Sequence, residues 1–362
     1  MQAVCVALVR HEENVRLHSF DSFAYSSILY QMLGIQSKDA NIETWRRFFR
    51  DGDAEISPET SVNPSKVVKD GMTTKFLLRM EDGLETESVI LPIEGYKKTR
   101  QTLCVSSQVG CAMGCEFCQT AQMGLLRNLS VAEIIAQWHA ARHALGTPID
   151  NIVFMGMGEP MENIDVVINA IHILTDQNGP SIAPSRICVS TVGRIEGINQ
   201  LACLARTNGY KRLSLAVSIN ASNDEVRKQI MPLAKSVSME SLREAMLDYP
   251  RHDCGGVMAE YVLIPGVNDS DEHAVEICEF LRPIGCHLNV IPYNPRDNSP
   301  WGKPTEDSVR KFISIARSTG QFVRRRITLG QEAMAACGQL GNPALKKKRG
   351  QYKLTMSLNK KD

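Results

Sequence analysis

No stretch of this 362-residue chain approaches the ~18 consecutive apolar residues that a membrane-spanning helix needs. The opening MQAVCVALVR has no basic segment of the kind that begins a secretory signal. A soluble, cytoplasmic protein with no membrane partner is therefore expected. Internal repeats and low-complexity tracts are also missing, which argues against a solenoid or a largely disordered chain. The length suits one α/β barrel with appendages, or two domains, around a sizeable core.

Net charge is nearly absent, at +1, but its distribution is uneven. From Arg310 to Asp362 the balance is +11, whereas from Met1 to Gly95 it is −5. A basic C-terminal region is what a polyanion would find, although the run Lys346, Lys347, Lys348 and Arg349 also reads as a solvated tail. In a reducing compartment the 11 cysteines point to metal ligands, catalytic thiols or core packing rather than a disulfide framework.

Residues 1–65 read as an N-terminal accessory domain. Its helical patterns cover Ser22–Leu33 and Ile42–Arg50, and a polar loop from Asp51 to Pro64 ends it. Two alternating apolar runs then flank Asp82-Gly83, the signature of a β-hairpin over Lys75–Leu91, so 66–98 is a hairpin extension. From Thr99 short β-rich runs, at Thr102–Ser106, Ile152–Gly156, Arg186–Ser190, Leu213–Ile219, Met258–Ile264, His287–Ile291 and Gln321–Arg326, alternate with segments of helical period. Strands spaced by helices imply βα units and a parallel sheet. The expected fold class is α/β, a partial (β/α)6 barrel over 99–340, followed by a basic tail at 341–362. Unusual residues recur at the ends of these strands, the face where such sheets place ligands.

The stretch CVSSQVGCAMGCEFCQT is the densest chemistry in the chain. Cys111, Cys115 and Cys118 form C-x3-C-x2-C, bracketed by Gly110 and Gly114, which let the backbone bend sharply. A structural zinc site wants four ligands, usually as two close pairs, and no second Cys or His pair of that spacing exists. Iron–sulfur clusters are held by closely spaced thiolates, normally four. Three leave one iron of a [4Fe–4S] cube open to an outside ligand.

With Phe117 between its last two cysteines, this motif resembles the signature of radical S-adenosylmethionine (SAM) enzymes. The wider blocks TLCVSSQVGCAMGCEFC, GLLRNLSVAEII, NIVFMGMGEPMEN, MPLAKSVSMESL, YVLIPGVNDS, NVIPYNP and AACGQL are similar to those of the RlmN/Cfr group, which methylates carbon 2 or carbon 8 of adenosine in RNA. The similarity runs from about Lys66 to Leu340.

The resemblance implies a radical SAM methyltransferase acting on carbon 2 of adenosine in 23S rRNA, and also in tRNA, as a monomer. It implies a [4Fe–4S] cluster on Cys111, Cys115 and Cys118, SAM as both methyl donor and radical source, and an electron donor such as flavodoxin or ferredoxin. Cys337 would accept a methyl group, Cys104 would later release the product through a transient disulfide, and Glu87 would take the proton from the substrate carbon. Gly158, Glu159, Ser190, Ser218, Ile219, Asn220 and Asn294 would contact SAM. On residue type alone, Cys104 is an ordinary strand thiol, Cys337 a small buried residue and Glu87 a solvated strand-edge acid. Cys5, Cys188, Cys203, Cys254, Cys278 and Cys286 belong to no motif and read as packing residues.

Two departures from the group's pattern stand out. Ser218-Ile219-Asn220 replaces a usual Ser-Leu-His, so the final side chain hydrogen-bonds but cannot titrate. Gln331 and Met334 stand in the loop before Cys337 where acidic residues are usual. The acidic N-terminal region is unsuited to phosphate, which leaves RNA contact to the C-terminal basic region, including Arg324, Arg325 and Arg326. A carbon 8 methyltransferase, or a related enzyme on another RNA, is the nearest alternative. An iron–sulfur sensor without catalysis is the alternative of another class, though it would have no use for Cys104, Cys337 and Glu87 together.

Overall fold

The computed structural model describes residues 33, 41–54, 62–95, 98–251 and 256–343. The expected helix Ser22–Leu33, apart from its last residue, and the basic tail beyond residue 343 lie outside the described residues.

In chain order, helix α1 (Ile42–Arg46) runs into a wider helical turn at Arg47–Asp51, followed by strands β1 (Lys66–Asp70), β2 (Thr73–Arg79), β3 (Glu85–Glu94) and β4 (Thr99–Cys104). The cysteine loop follows with β5 (Gln108–Val109), α2 (Gln119–Met123) and β6 (Arg127–Asn128), and then α3 (Val131–His139). Thereafter strands and helices alternate: β7 (Asn151–Phe154), α4 (Ile164–Thr175), β8 (Ile187–Thr191), α5 (Ile195–Arg206) and β9 (Ser214–Ser218). Next come α6 (Asp224–Ile230), α7 (Met239–Asp248), β10 (Val257–Leu263), α8 (Asp271–Leu281), β11 (His287–Pro292), α9 (Glu306–Ser318) and β12 (Val323–Arg325).

Ten strands form one sheet in the order β1-β2-β3-β4-β7-β8-β9-β10-β11-β12, while β5 and β6 pair separately. From β4 to β12 every neighbouring pair is parallel. Strands β1 to β4 are antiparallel. The outermost strands are β1 and β12, so the barrel is partial, as the βα pattern implies. Strand β3 is bonded on both sides and buried through its middle. The hairpin turns where expected, with Gly83 at φ 78° and Asp82 Oδ1 accepting from Leu84 N at 3.0 Å. Because Val89 pairs with Cys104, the hairpin continues the barrel sheet.

Local sequence sets the helix starts. Ser130 and Glu133 close a reciprocal capping box at α3, and Asn223, Ser238, Ser270 and Thr305 cap α6 to α9 through their side chains. Buried Val, Ile and Leu of the parallel strands pack against these helices in one continuous core. Trp45, Phe48 and Phe49 dock the N-terminal helical segment on α3, where His139 Nε2 lies 3.1 Å from Phe48 O.

Candidate functional site

The C-terminal ends of β4 and β7 to β12 open onto one pocket. Cys104 enters from the end of β4, and Cys111, Cys115 and Cys118 from the loop behind it. Gly158 and Glu159 follow β7; Ser190, Ser218 and Asn220 come from β8 and β9; Asn294 follows β11. Cys337 closes the pocket from the C-terminal loop. Ile219 is fully buried behind this wall and does not line the pocket.

The cysteine loop is shaped by backbone. Gly110 has φ 78°, and a Cβ there would sit 1.9 Å from Gly124 O, the same carbonyl that accepts from Cys111 N at 3.2 Å. Glu116 N donates to Ile230 O at 3.0 Å and Cys118 N to Cys115 O at 3.1 Å, tying the loop to α6. Burial pushes the Cys111 thiol up to about 12, and Cys115 also lies well above the ordinary thiol range, with the neighbouring cysteines adding to both. Cys111 and Cys115 are thus held as neutral thiols by burial, and a bound cation would favour their thiolates.

The C-terminal loop is strapped down from both sides. Gln119 N donates to Gly338 O at 2.7 Å and Thr120 Oγ1 to Leu340 O at 2.6 Å. Lys75 Nζ reaches Met334 O at 3.1 Å, and Gly341 N donates to Glu87 Oε2 at 3.1 Å. The altered loop positions have structural roles: Met334 takes a left-handed φ of 49°, and Gln331 accepts from Lys303 at 3.3 Å. So held, Cys337 shares the pocket with Cys104, and both are free thiols. Burial first, and the charge of Cys337 second, push the Cys104 thiol up to about 12.

Glu87 is placed differently. It is buried, paired with Lys75 at 2.7 Å, and lines a neighbouring cavity between hairpin and loop rather than the cysteine pocket. Glu85, on the same face, is engaged by Arg79 at 3.0 Å.

On the opposite side, Glu159 accepts from Met161 N at 3.1 Å and Val192 N at 2.9 Å. Burial nevertheless pushes its carboxyl up to about 7, so a cationic amine would find a receptive partner. A Cβ at Gly158, whose φ is 102°, would lie 2.6 Å from Gln108 Cβ, so the close approach requires glycine. Asn220 is occupied, its Oδ1 accepting from Val262 N at 2.9 Å. Asn294 donates to Cys337 O at 3.4 Å, while its buried Oδ1 has no hydrogen-bond partner in the protein.

Three charged residues were not expected here. Glu260, in the middle of β10, lines the pocket and pairs with Arg326 at 3.4 Å. The expectation for Arg324 to Arg326 needs correction: Arg325 is paired with Glu306 at 2.7 Å, and Arg326, just past the end of β12 with its N–H donating to Val290 O at 2.9 Å, lines the pocket. The third is Arg227, fully buried on α6. A carboxylate inside an otherwise apolar strand, as in MAEYVL, is the signal that would have found Glu260.

Residues 105–278 match the model of the radical SAM superfamily. The chain is 44% identical over 285 residues, covering 79% of this chain and 77% of the relative, to a probable dual-specificity RNA methyltransferase RlmN 1 of Protochlamydia amoebophila. It is 41% identical to a ribosomal RNA large subunit methyltransferase N of Nitrosopumilus maritimus, covering 76% of this chain and 78% of the relative. The chain belongs to the RlmN family. A crystal structure of a radical SAM methyltransferase from Sphaerobacter thermophilus superposes with TM-score 0.77 at 35% identity, covering 87% of this chain and 96% of the other.

As a radical SAM protein, this RlmN-family chain uses a [4Fe–4S] cluster and SAM. The donor set fits. Among the described residues no three His, Cys, Asp or Glu side chains gather as a single-ion site; Cys111, Cys115 and Cys118 instead line one pocket, as thiolates spread over a cluster would. Glu159 and the unpartnered Asn294 Oδ1 are polar groups in the wall of the same pocket.

Proposed function

We propose that this protein methylates carbon 2 of adenosine in 23S rRNA and in tRNA, by way of an S-methylated Cys337 and a transient Cys104–Cys337 disulfide. The observation carrying this reading is the convergence of Cys104, Cys337 and the three motif cysteines on one pocket. Cys111, Cys115 and Cys118 would hold the cluster, and Gly158, Glu159, Ser190, Ser218 and Asn294 would hold SAM. When bound, these groups supply a transferable methyl and a carbon radical able to take a hydrogen atom.

The chain's own residues do the rest. The loop straps fix Cys337 over the pocket, so that its sulfur first bears the methyl group and then, as a thioether, the bridge to the base. Glu87 would take the proton from the substrate carbon, and the one electron that radical addition leaves on the base would depart to the one-electron carrier, so that a closed-shell thioether remains. Cys104 then attacks the Cys337 sulfur: an S–S bond forms, the S–C bond breaks, and its electron pair stays on the departing carbon, which gains a proton to become the methyl. A one-electron donor of the flavodoxin or ferredoxin type serves a monomeric enzyme in the cytoplasm.

Replacing Cys104 by Ala leaves the thioether bridge with no thiol to cleave it. The expected result is a covalent protein–RNA adduct through Cys337, seen by mass spectrometry of the digested complex. Free RNA and an unmodified Cys337 would count against the mechanism.

A further inference from the structure

Arg227 is fully buried, yet its guanidinium touches only carbonyl oxygens: Nε donates to Ile219 O at 3.2 Å, Nη2 to Val192 O at 2.6 Å and Nη1 to Val237 O at 3.4 Å. Among the described residues it forms no ion pair with a carboxylate; the nearby Asp224 is engaged by Met239 N at 2.9 Å. A buried cation without a paired carboxylate is costly, so a bound anionic group near it would be stabilising. Burial weakens its hold on the proton, and the first group opposing that effect is Cys115.

Geometry says where the charge belongs. The last turn of α6 and the Pro232 turn back the cysteine loop: Ile230 O receives Glu116 N at 3.0 Å, a Cβ on Gly114 would meet Pro232 at 3.3 Å, and Cys115 packs with Ile230 and Met231. Val192, whose carbonyl Arg227 holds, donates its own N–H to Glu159 at 2.9 Å, so the same side chain braces the residue that holds Glu159.

We propose that Arg227 is the internal counter-charge of the iron–sulfur centre and sets its reduction potential, in addition to positioning Val192. The inference rests on the cluster reading above. Three thiolates give the bound centre negative charge, and one electron from a low-potential donor adds to it without forming or breaking a bond. A fixed cation on the helix whose last turn packs against Cys115 stabilises the reduced centre more than the oxidised one. Because the cation is buried, solvent screens it little.

The test is an EPR-monitored redox titration of the anaerobically reconstituted protein, full chain, as wild type, Arg227→Lys and Arg227→Gln. The expected result is that Arg227→Gln disfavours the reduced centre about tenfold, ~59 mV for one electron, while Arg227→Lys stays near wild type. Retention of the cluster in Arg227→Lys with its loss from a folded Arg227→Gln supports the same conclusion. An unchanged midpoint in Arg227→Gln, an equal shift in both variants, or cluster loss from both overturns it. If Arg227→Gln does not fold, Arg227→Lys decides: a wild-type midpoint supports charge compensation and a shifted one refutes it. Failure of the cluster reading is distinguishable, since wild type would then bind no iron and sulfide at all.

Discussion

Glu159 illustrates how burial acts on a single side chain of the pocket. Its two backbone donors favour the carboxylate, but burial outweighs them and its value rises to about 7. The amine of SAM would restore the ionised form, so affinity should weaken as pH falls through about 7. Glu159→Gln should lower SAM affinity by roughly tenfold to a hundredfold, from about 1.5–3 kcal/mol for a charge-assisted hydrogen bond, and should flatten that pH dependence; isothermal titration of the cluster-loaded protein reads both. At this scale the sequence was most legible where residue type and spacing are the chemistry, as in Cys111, Cys115 and Cys118. Arg326 and Glu260 were opaque because their pairing joins the end of one strand to the middle of a distant one, which no local pattern records.

Between hairpin and catalytic loop, the elements are joined by the nearly buried Lys75–Glu87 pair, which also engages Met334 and Gly341. Lys75→Met strands the Glu87 charge and should cost about 3–5 kcal/mol, measured by denaturant unfolding, with faster proteolysis near residues 330–341. At the other end, His139 is buried under the N-terminal helical segment, and burial lowers it from 6.5 to about 4. The folded state therefore prefers the neutral ring. Its contribution is present above pH 6.5 and is lost as pH falls toward about 4. Stability followed by Trp45 or Trp138 fluorescence should decline across that window, and His139→Phe should remove much of the decline. The hairpin itself was readable from Asp82-Gly83. Strand β1 was not, because KVVKD is short and mostly exposed, and the straps that place Cys337 join residues more than 200 apart, a distance no local pattern records.

Across the whole molecule, alternating β and helical periods sufficed for a partial barrel, and strand-end positions for one site at one mouth. They could not say that the antiparallel hairpin extends the barrel sheet, which depends on the β3–β4 pairing. The two arginines moved inward or into ion pairs leave Arg324 as the exposed member of its run, so the described residues contribute less basic surface than composition suggested. The most direct measurement is nucleoside analysis of 23S rRNA after incubation with the anaerobically reconstituted protein, SAM and a reductant. The account predicts 2-methyladenosine that requires Cys104, Cys337 and Cys118; 8-methyladenosine, or unmodified adenosine with a fully loaded cluster, would contradict it.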